Sequence, residues 1–138
     1  MADLVSALER AVRLWPDRTA WTFDPGESLT FAEVDRRTAG IAAALAERGI
    51  RPGDRVAVLM HNRVEFPLTW LALARLGAAM VPLNPQYRVD DAGHILEHSH
   101  AAAVVTTVDL ADRAFDVPVL LAEQLTGAGQ PPAHRVAP

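Results

Sequence analysis

The chain contains no lysine and no cysteine, and all 13 of its basic residues are arginine. Without cysteine there is no disulfide, no thiolate zinc site and no thiol nucleophile. Without lysine there is no Schiff base, no phosphate-loop lysine and no lysine general base. A surplus of positive charge is missing too. The net charge is −4, so no basic face argues for nucleic acid. The opening "MADLVSALERAVRLW" lacks the unbroken apolar stretch of a secretory signal, because Asp3, Glu9, Arg10 and Arg13 interrupt it. The longest apolar run is "FPLTWLALARLGAAMVPL", residues 66–83, with Arg75 near its middle. That arginine would cost about 2.5–3.5 kcal/mol in a bilayer, so a buried helix followed by a buried strand is expected and no membrane span. The lack of cysteine fits a reducing cytoplasm.

What remains is an ordinary globular composition of 138 residues, 50% hydrophobic and 22% charged, enough for one domain with a core. Leu4, Leu8, Ala11, Val12 and Trp15 predict one face of a first helix, capped by Asp3 and ended by Pro16. "TAWTFDPGESLTF" reads as a hairpin around Asp-Pro-Gly-Glu. Thr30 and Glu33 form a capping-box signature for a second helix with Val34, Ile41, Ala42 and Leu45 inside and Gly49 at its stop. "RPGD" then turns into a strand at 55–60. Helices near 63–76, 90–99 and 109–115 alternate with strands near 79–83, 102–107 and 118–121. That alternation predicts an α/β fold: a layered parallel sheet with crossover helices, preceded by the helix and hairpin. Residues 1–122 are expected to form this α/β unit, and 123–138 a short helix or turn with a Gly/Pro-rich tail.

Several short patterns suggest chemistry. "HILEH", residues 94–98, fits H-x-x-E-H, in which two histidines one turn apart bind zinc and the glutamate acts as base. Ala92, Ile95, Leu96 and Ser99 would occupy the opposite, apolar face, which turns the charged trio to solvent. "GAG" at 127–129 lacks the third glycine and the strand-to-helix setting of a dinucleotide fingerprint. No serine lies in a nucleophile elbow. In open α/β sheets ligands favour loops beyond the carboxyl ends of strands. Those ends are Met60-His61-Asn62, Leu83-Asn84-Pro85 and Thr106-Thr107, which makes Asn62 and Asn84 candidate pocket-rim residues. Each also has a simpler reading. Asn62 can cap the next helix with Glu65, and Asn84 can bond nearby backbone in a turn.

The ordered set of residues resembles the start of the adenylate-forming, or AMP-binding, superfamily. That group includes acyl- and aryl-CoA synthetases, firefly luciferase and the adenylation domains of peptide synthetases. The resemblance rests on Leu29-Thr30-Phe31 with Glu33, Gly53-Asp54-Arg55-Val56, Asn62 with Glu65-Phe66, Gly77-Ala78, Val81-Pro82-Leu83-Asn84-Pro85, and Ile95-Leu96 before Ser99. Gly53, Asp54, Gly77, Pro82 and Pro85 are its structural markers. The wording is nearest to the acyl-CoA ligases. Local departures are Arg88, Ala92, Gly93 and the histidines flanking Ser99.

The resemblance implies an enzyme that joins a carboxylic acid to ATP, releases pyrophosphate, and passes the acyl group from acyl-AMP to CoA. It implies Mg-ATP and CoA as cofactors of the complete enzyme. It assigns no catalytic, cofactor-binding or metal residue here, because the family's phosphate loop and catalytic lysine have no counterpart. The chain is therefore expected to be an N-terminal portion that needs the remainder of the ligase, in the same polypeptide or as a split subunit, and to be inactive alone. The alternative is a non-enzymatic remnant serving as a binding module.

Overall fold

Proline and glycine punctuate this chain, and the elements fall between them. The computed structural model describes residues 3–23, 27–61, 63–86, 89–111, 115 and 117–125. Helix α1 spans Asp3–Leu14, and β1 (Thr19–Phe23) pairs antiparallel with β2 (Glu27–Thr30). Helix α2 runs Phe31–Glu47 and begins at the expected capping box. Thr30 Oγ1 accepts from the Glu33 amide at 3.1 Å, and Glu33 Oε1 accepts from the Thr30 amide at 2.8 Å. Gly49 follows the helix at φ 95°, a left-handed position that ends it.

Four parallel strands follow: β3 (Arg55–Leu59), β4 (Ala79–Leu83), β5 (Ala103–Thr106) and β6 (Val119–Leu121). Their order in the sheet is β4-β3-β5-β6. Helix α3 (Glu65–Leu76) connects β3 to β4, and α4 (Val89–Ser99) connects β4 to β5. The predicted parallel α/β architecture, with its leading helix and hairpin, is thus present.

Alternate residues of the central strands feed two cores. Val56, Val58, Ala103, Val105 and Leu120 pack against Val34, Ile41, Leu45, Leu68 and Leu73 of α2 and α3, with Leu8 of α1. Ala57, Leu59, Leu83 and Val104 pack on the other face with Leu96 of α4 and Leu110. Each fully buried leucine or valine contributes about 1.5–3 kcal/mol. Leu125, in the segment after residue 122, is 1% exposed and belongs to the first core.

Arg75, the charge inside the longest apolar run, is 7% exposed yet paired. Its Nη1 donates to Asp35 Oδ1 at 2.8 Å and to Thr38 Oγ1 at 3.0 Å, tying α3 to α2. Among the described residues no helix is long and apolar enough to cross a membrane.

Four expectations change. Leu4 and Trp15 are 40% and 46% exposed, whereas Leu8 is buried in the core and Val12 packs against it. Trp15 lies past the helix end, with the Arg18 guanidinium 5.6 Å above its ring. Among the described residues the strand at 79–83 is an edge strand with no neighbour on its outer side, and within it only Leu83 is buried. The helix expected near 109–115 is a single 3-10 turn, Val108–Leu110. A β-branched valine and an aspartate favour the α-helix weakly, and the Glu123 carboxylate takes the Val108 amide at 3.1 Å. Residues 112–114 of that segment lie outside the described residues. Finally, α3 begins at Glu65 with Val64 as its uncapped N-cap, two positions beyond Asn62. Pro67 at the third helical position gives up an amide that the first turn leaves unbonded anyway.

Candidate functional site

Because the four strands are parallel, their carboxyl ends meet along one rim. The connections after β3 and β5 then part. The chain leaves β3 into α3 on one face of the sheet, while after β5 it packs Leu110 on the opposite face. Such a divergence between neighbouring strands opens a crevice at the carboxyl edge, the place where open α/β sheets bind ligands.

The side chains at this crevice come from segments far apart in sequence. His61, just after β3, faces Asp109, just after β5, with His61 Nε2 and Asp109 Oδ2 3.9 Å apart. Arg63 Nε donates to Glu65 Oε1 at 2.9 Å. Burial raises the Glu65 carboxyl, but the Arg63 bond and its own helix-start amide outweigh it and hold the group below its ordinary value. The same bond raises Arg63 further above its already high range. Asp109 is also held low, first by the Thr107 hydroxyl facing it, with His61 and Arg63 adding attraction. That approach falls outside hydrogen-bond geometry. Thr107 Oγ1, and Thr106 Oγ1 beside it in sequence, are buried without a hydrogen-bond partner. Buried hydroxyls left unpaired cost about 1–3 kcal/mol each, so this edge of β5 is polar and unsaturated where the crevice opens.

The sequence-derived rim residues divide. Asn62 lies outside the described residues. Asn84 is exposed, and its Oδ1 accepts the Gln86 amide at 2.9 Å, so its side chain closes a turn after β4. Pro85 follows in the same turn. The glycine markers sit at the opposite edge. Gly53 at φ 88° and Gly77 at φ 78° lead into β3 and β4, joined by a Gly53 amide to Gly77 carbonyl bond of 2.9 Å. Asp54 Oδ2 accepts the Arg51 amide at 2.8 Å, and its carbonyl accepts from Ala79 at 2.8 Å. These markers set the strand entries and are remote from the crevice. His94, Glu97 and His98 are exposed on α4, as their spacing predicts, and among the described residues no group of three or more His, Cys, Asp or Glu is placed to hold a metal.

His61, Arg63 and Asp109 were not singled out by motif. Their only signal was position: each lies within a few residues of a strand's carboxyl end.

Comparison with known proteins bears on this arrangement. A family model described as AMP-binding enzyme matches residues 8–136. Feruloyl-CoA synthase of Amycolatopsis sp is 39% identical over 103 residues, which covers 75% of this chain and 21% of that protein. A long-chain-fatty-acid–CoA ligase of Salmonella typhimurium is 33% identical over 110 residues, covering 79% of this chain and 19% of the ligase. The chain thus spans only a small part of the length of these relatives. In structure, the N-terminal subdomain of Klebsiella oxytoca NpsA, in complex with 3-hydroxybenzoyl-AMSN, matches with a TM-score of 0.85 at 24% identity, over 98% of this chain and 33% of that one. At that identity the likeness speaks for the fold. With the family match extending over nearly the whole chain, the protein belongs to the AMP-binding enzyme family.

Proposed function

We propose that this chain is the N-terminal part of an ATP-dependent acid–thiol ligase of the acyl-CoA synthetase type. Its work is to build the α/β half beside which a carboxylic acid is activated as acyl-AMP and then joined to CoA. Residues 1–122 are assigned to that half, together with Leu125, which packs into their core. The observation that carries the reading is the family match over residues 8–136, with relatives at 39% and 33% identity named as CoA synthase and CoA ligase. A cytoplasmic location goes with it, since ATP and CoA are supplied there.

The residues present do not suit Mg-ATP by themselves. A triphosphate needs a cradle of amides and cations. At the crevice stand the carboxylates of Glu65, Asp109 and Glu123, and the Arg63 guanidinium there is partly neutralised by its bond to Glu65. The chain alone is expected to be inactive. ATP–pyrophosphate exchange with a panel of carboxylic acids should stay at background, and exchange by the isolated chain would overturn the reading. Adding a polypeptide that carries the family's phosphate loop should restore exchange.

A second reading, a non-enzymatic binding module, draws on two exposed side chains next to the crevice and on β6, Val108 (61% exposed) and Val119 (38%). Recovery of the chain in a stable complex with a protein unrelated to ligases would favour it.

A further inference from the structure

The His-Ile-Leu-Glu-His stretch of α4 does not contribute to the crevice. Leu96 is buried against the sheet and Ile95 packs beside it, which fixes the rotation of the helix. His94 and His98, one turn apart, are exposed on another side. Their ring centroids lie 6.2 Å apart and their planes are inclined by only 17°. Among the described residues neither ring has a hydrogen bond or ion pair, so their nitrogen lone pairs are uncommitted.

The stacked rings direct their in-plane nitrogens side by side, so the two can share one ion once both exposed side chains turn toward it. Metal–nitrogen bonds of about 2.0–2.1 Å require the rings to leave the stacked arrangement and approach from 6.2 Å, a rotamer change open to exposed side chains. Imidazole favours borderline divalent ions such as Zn2+, Ni2+ and Cu2+. The remaining coordination positions would hold water, because no third His, Cys, Asp or Glu joins the pair among the described residues. That last point separates the pair from a metalloprotease centre, which needs a further protein ligand.

We propose that His94 and His98 chelate one divalent transition-metal ion on the surface of α4. The bound ion bridges positions i and i+4 and so clamps the last turns of a helix that Gly93 weakens by up to about 1 kcal/mol. The inference is independent of the ligase reading.

Isothermal titration of the full chain with zinc chloride, and separately with nickel chloride, at neutral pH tests it. One-to-one binding is expected, with affinity falling at least about tenfold in His94→Gln and again in His98→Gln, since each removes half of the chelate. His100→Gln, two residues beyond the pair, should bind as the parent does. Circular dichroism of each variant checks that the fold is kept. Imidazole NMR resonances of both residues should respond together during the titration. No saturable binding up to about 1 mM free metal would overturn the proposal. So would undiminished binding in the two variants, or a loss that follows His100 instead.

Discussion

Replacing Arg75 by methionine should destabilise the chain by about 2–3 kcal/mol. The methionine keeps most of the apolar stem and its packing, so the loss isolates the guanidinium. Breaking a buried ion pair by removing one partner costs about 3–5 kcal/mol when the other charge stays buried. Here Arg75 is 7% exposed but the Asp35 side chain is 23% exposed, so water recovers part of that charge and the expected loss falls to the bottom of that range or just below it. Thr38 loses the donor at 3.0 Å but keeps its own bond to the Val34 carbonyl at 2.7 Å. Urea unfolding followed by tryptophan fluorescence and far-UV circular dichroism should show a lower midpoint with an unchanged slope. The double variant Arg75→Met/Asp35→Asn should recover at least half of the loss, because the negative charge that Arg75 neutralised is removed with it. A single-variant effect within about 0.5 kcal/mol of zero, or a double variant no better than the single, would refute the view that this pair ties the two helices.

Thr30→Ala should lower stability by about 1 kcal/mol through loss of the capping bond, readable in the same melts. Glu33 has its carboxyl lowered below 4.5, chiefly by the Thr30 amide. Its contribution is therefore complete above that value and is lost as pH falls through the lower folded-state value. Glu33→Gln should flatten the acid side of the stability–pH curve and leave the neutral region's slope unchanged. Gly77→Ala should cost about 1–2 kcal/mol from its φ of 78°, with no clash to add, since the new Cβ would stand 3.5 Å from Pro52 Cβ. Asn84→Ala, which removes one exposed turn bond, should cost no more than about 1 kcal/mol by thermal unfolding.

Much of the fold was legible because its signals are local. The Thr30–Glu33 box, the left-handed glycines and the proline stops each act over a few residues, and the element bounds follow them closely. Strand order was not legible. Whether residues 79–83 lie at the centre or the edge depends on the path of α4 over β3, which no neighbouring residue encodes. The exposure of Leu4 and Trp15 has the same origin: an apolar stripe reports a face, but the layer above decides how much of it is covered. At the crevice, position was legible and chemistry was not. Asn84 was named as a rim residue or turn former, and its observed bond is the turn. The approach of His61 to Asp109 required β3 and β5 to be adjacent. The Arg75–Asp35 pair, separated by 40 residues, required α2 and α3 to pack side by side.

Pro82 shapes what can happen at the border of the sheet. The Ala79 amide points inward to the Asp54 carbonyl, so by alternation residues 81 and 83 also face β3 while 80 and 82 face out. The proline thus occupies an outward-facing position and presents no N–H there. A strand arriving on that side would find every second donor missing. On the other flank the Val104 amide bonds the Pro118 carbonyl, which leaves the amides of Val119 and Leu121 directed away from β5. The sheet is therefore directional in a second sense. Among the described residues it presents a donor-poor border at β4 and a border with outward amides at β6.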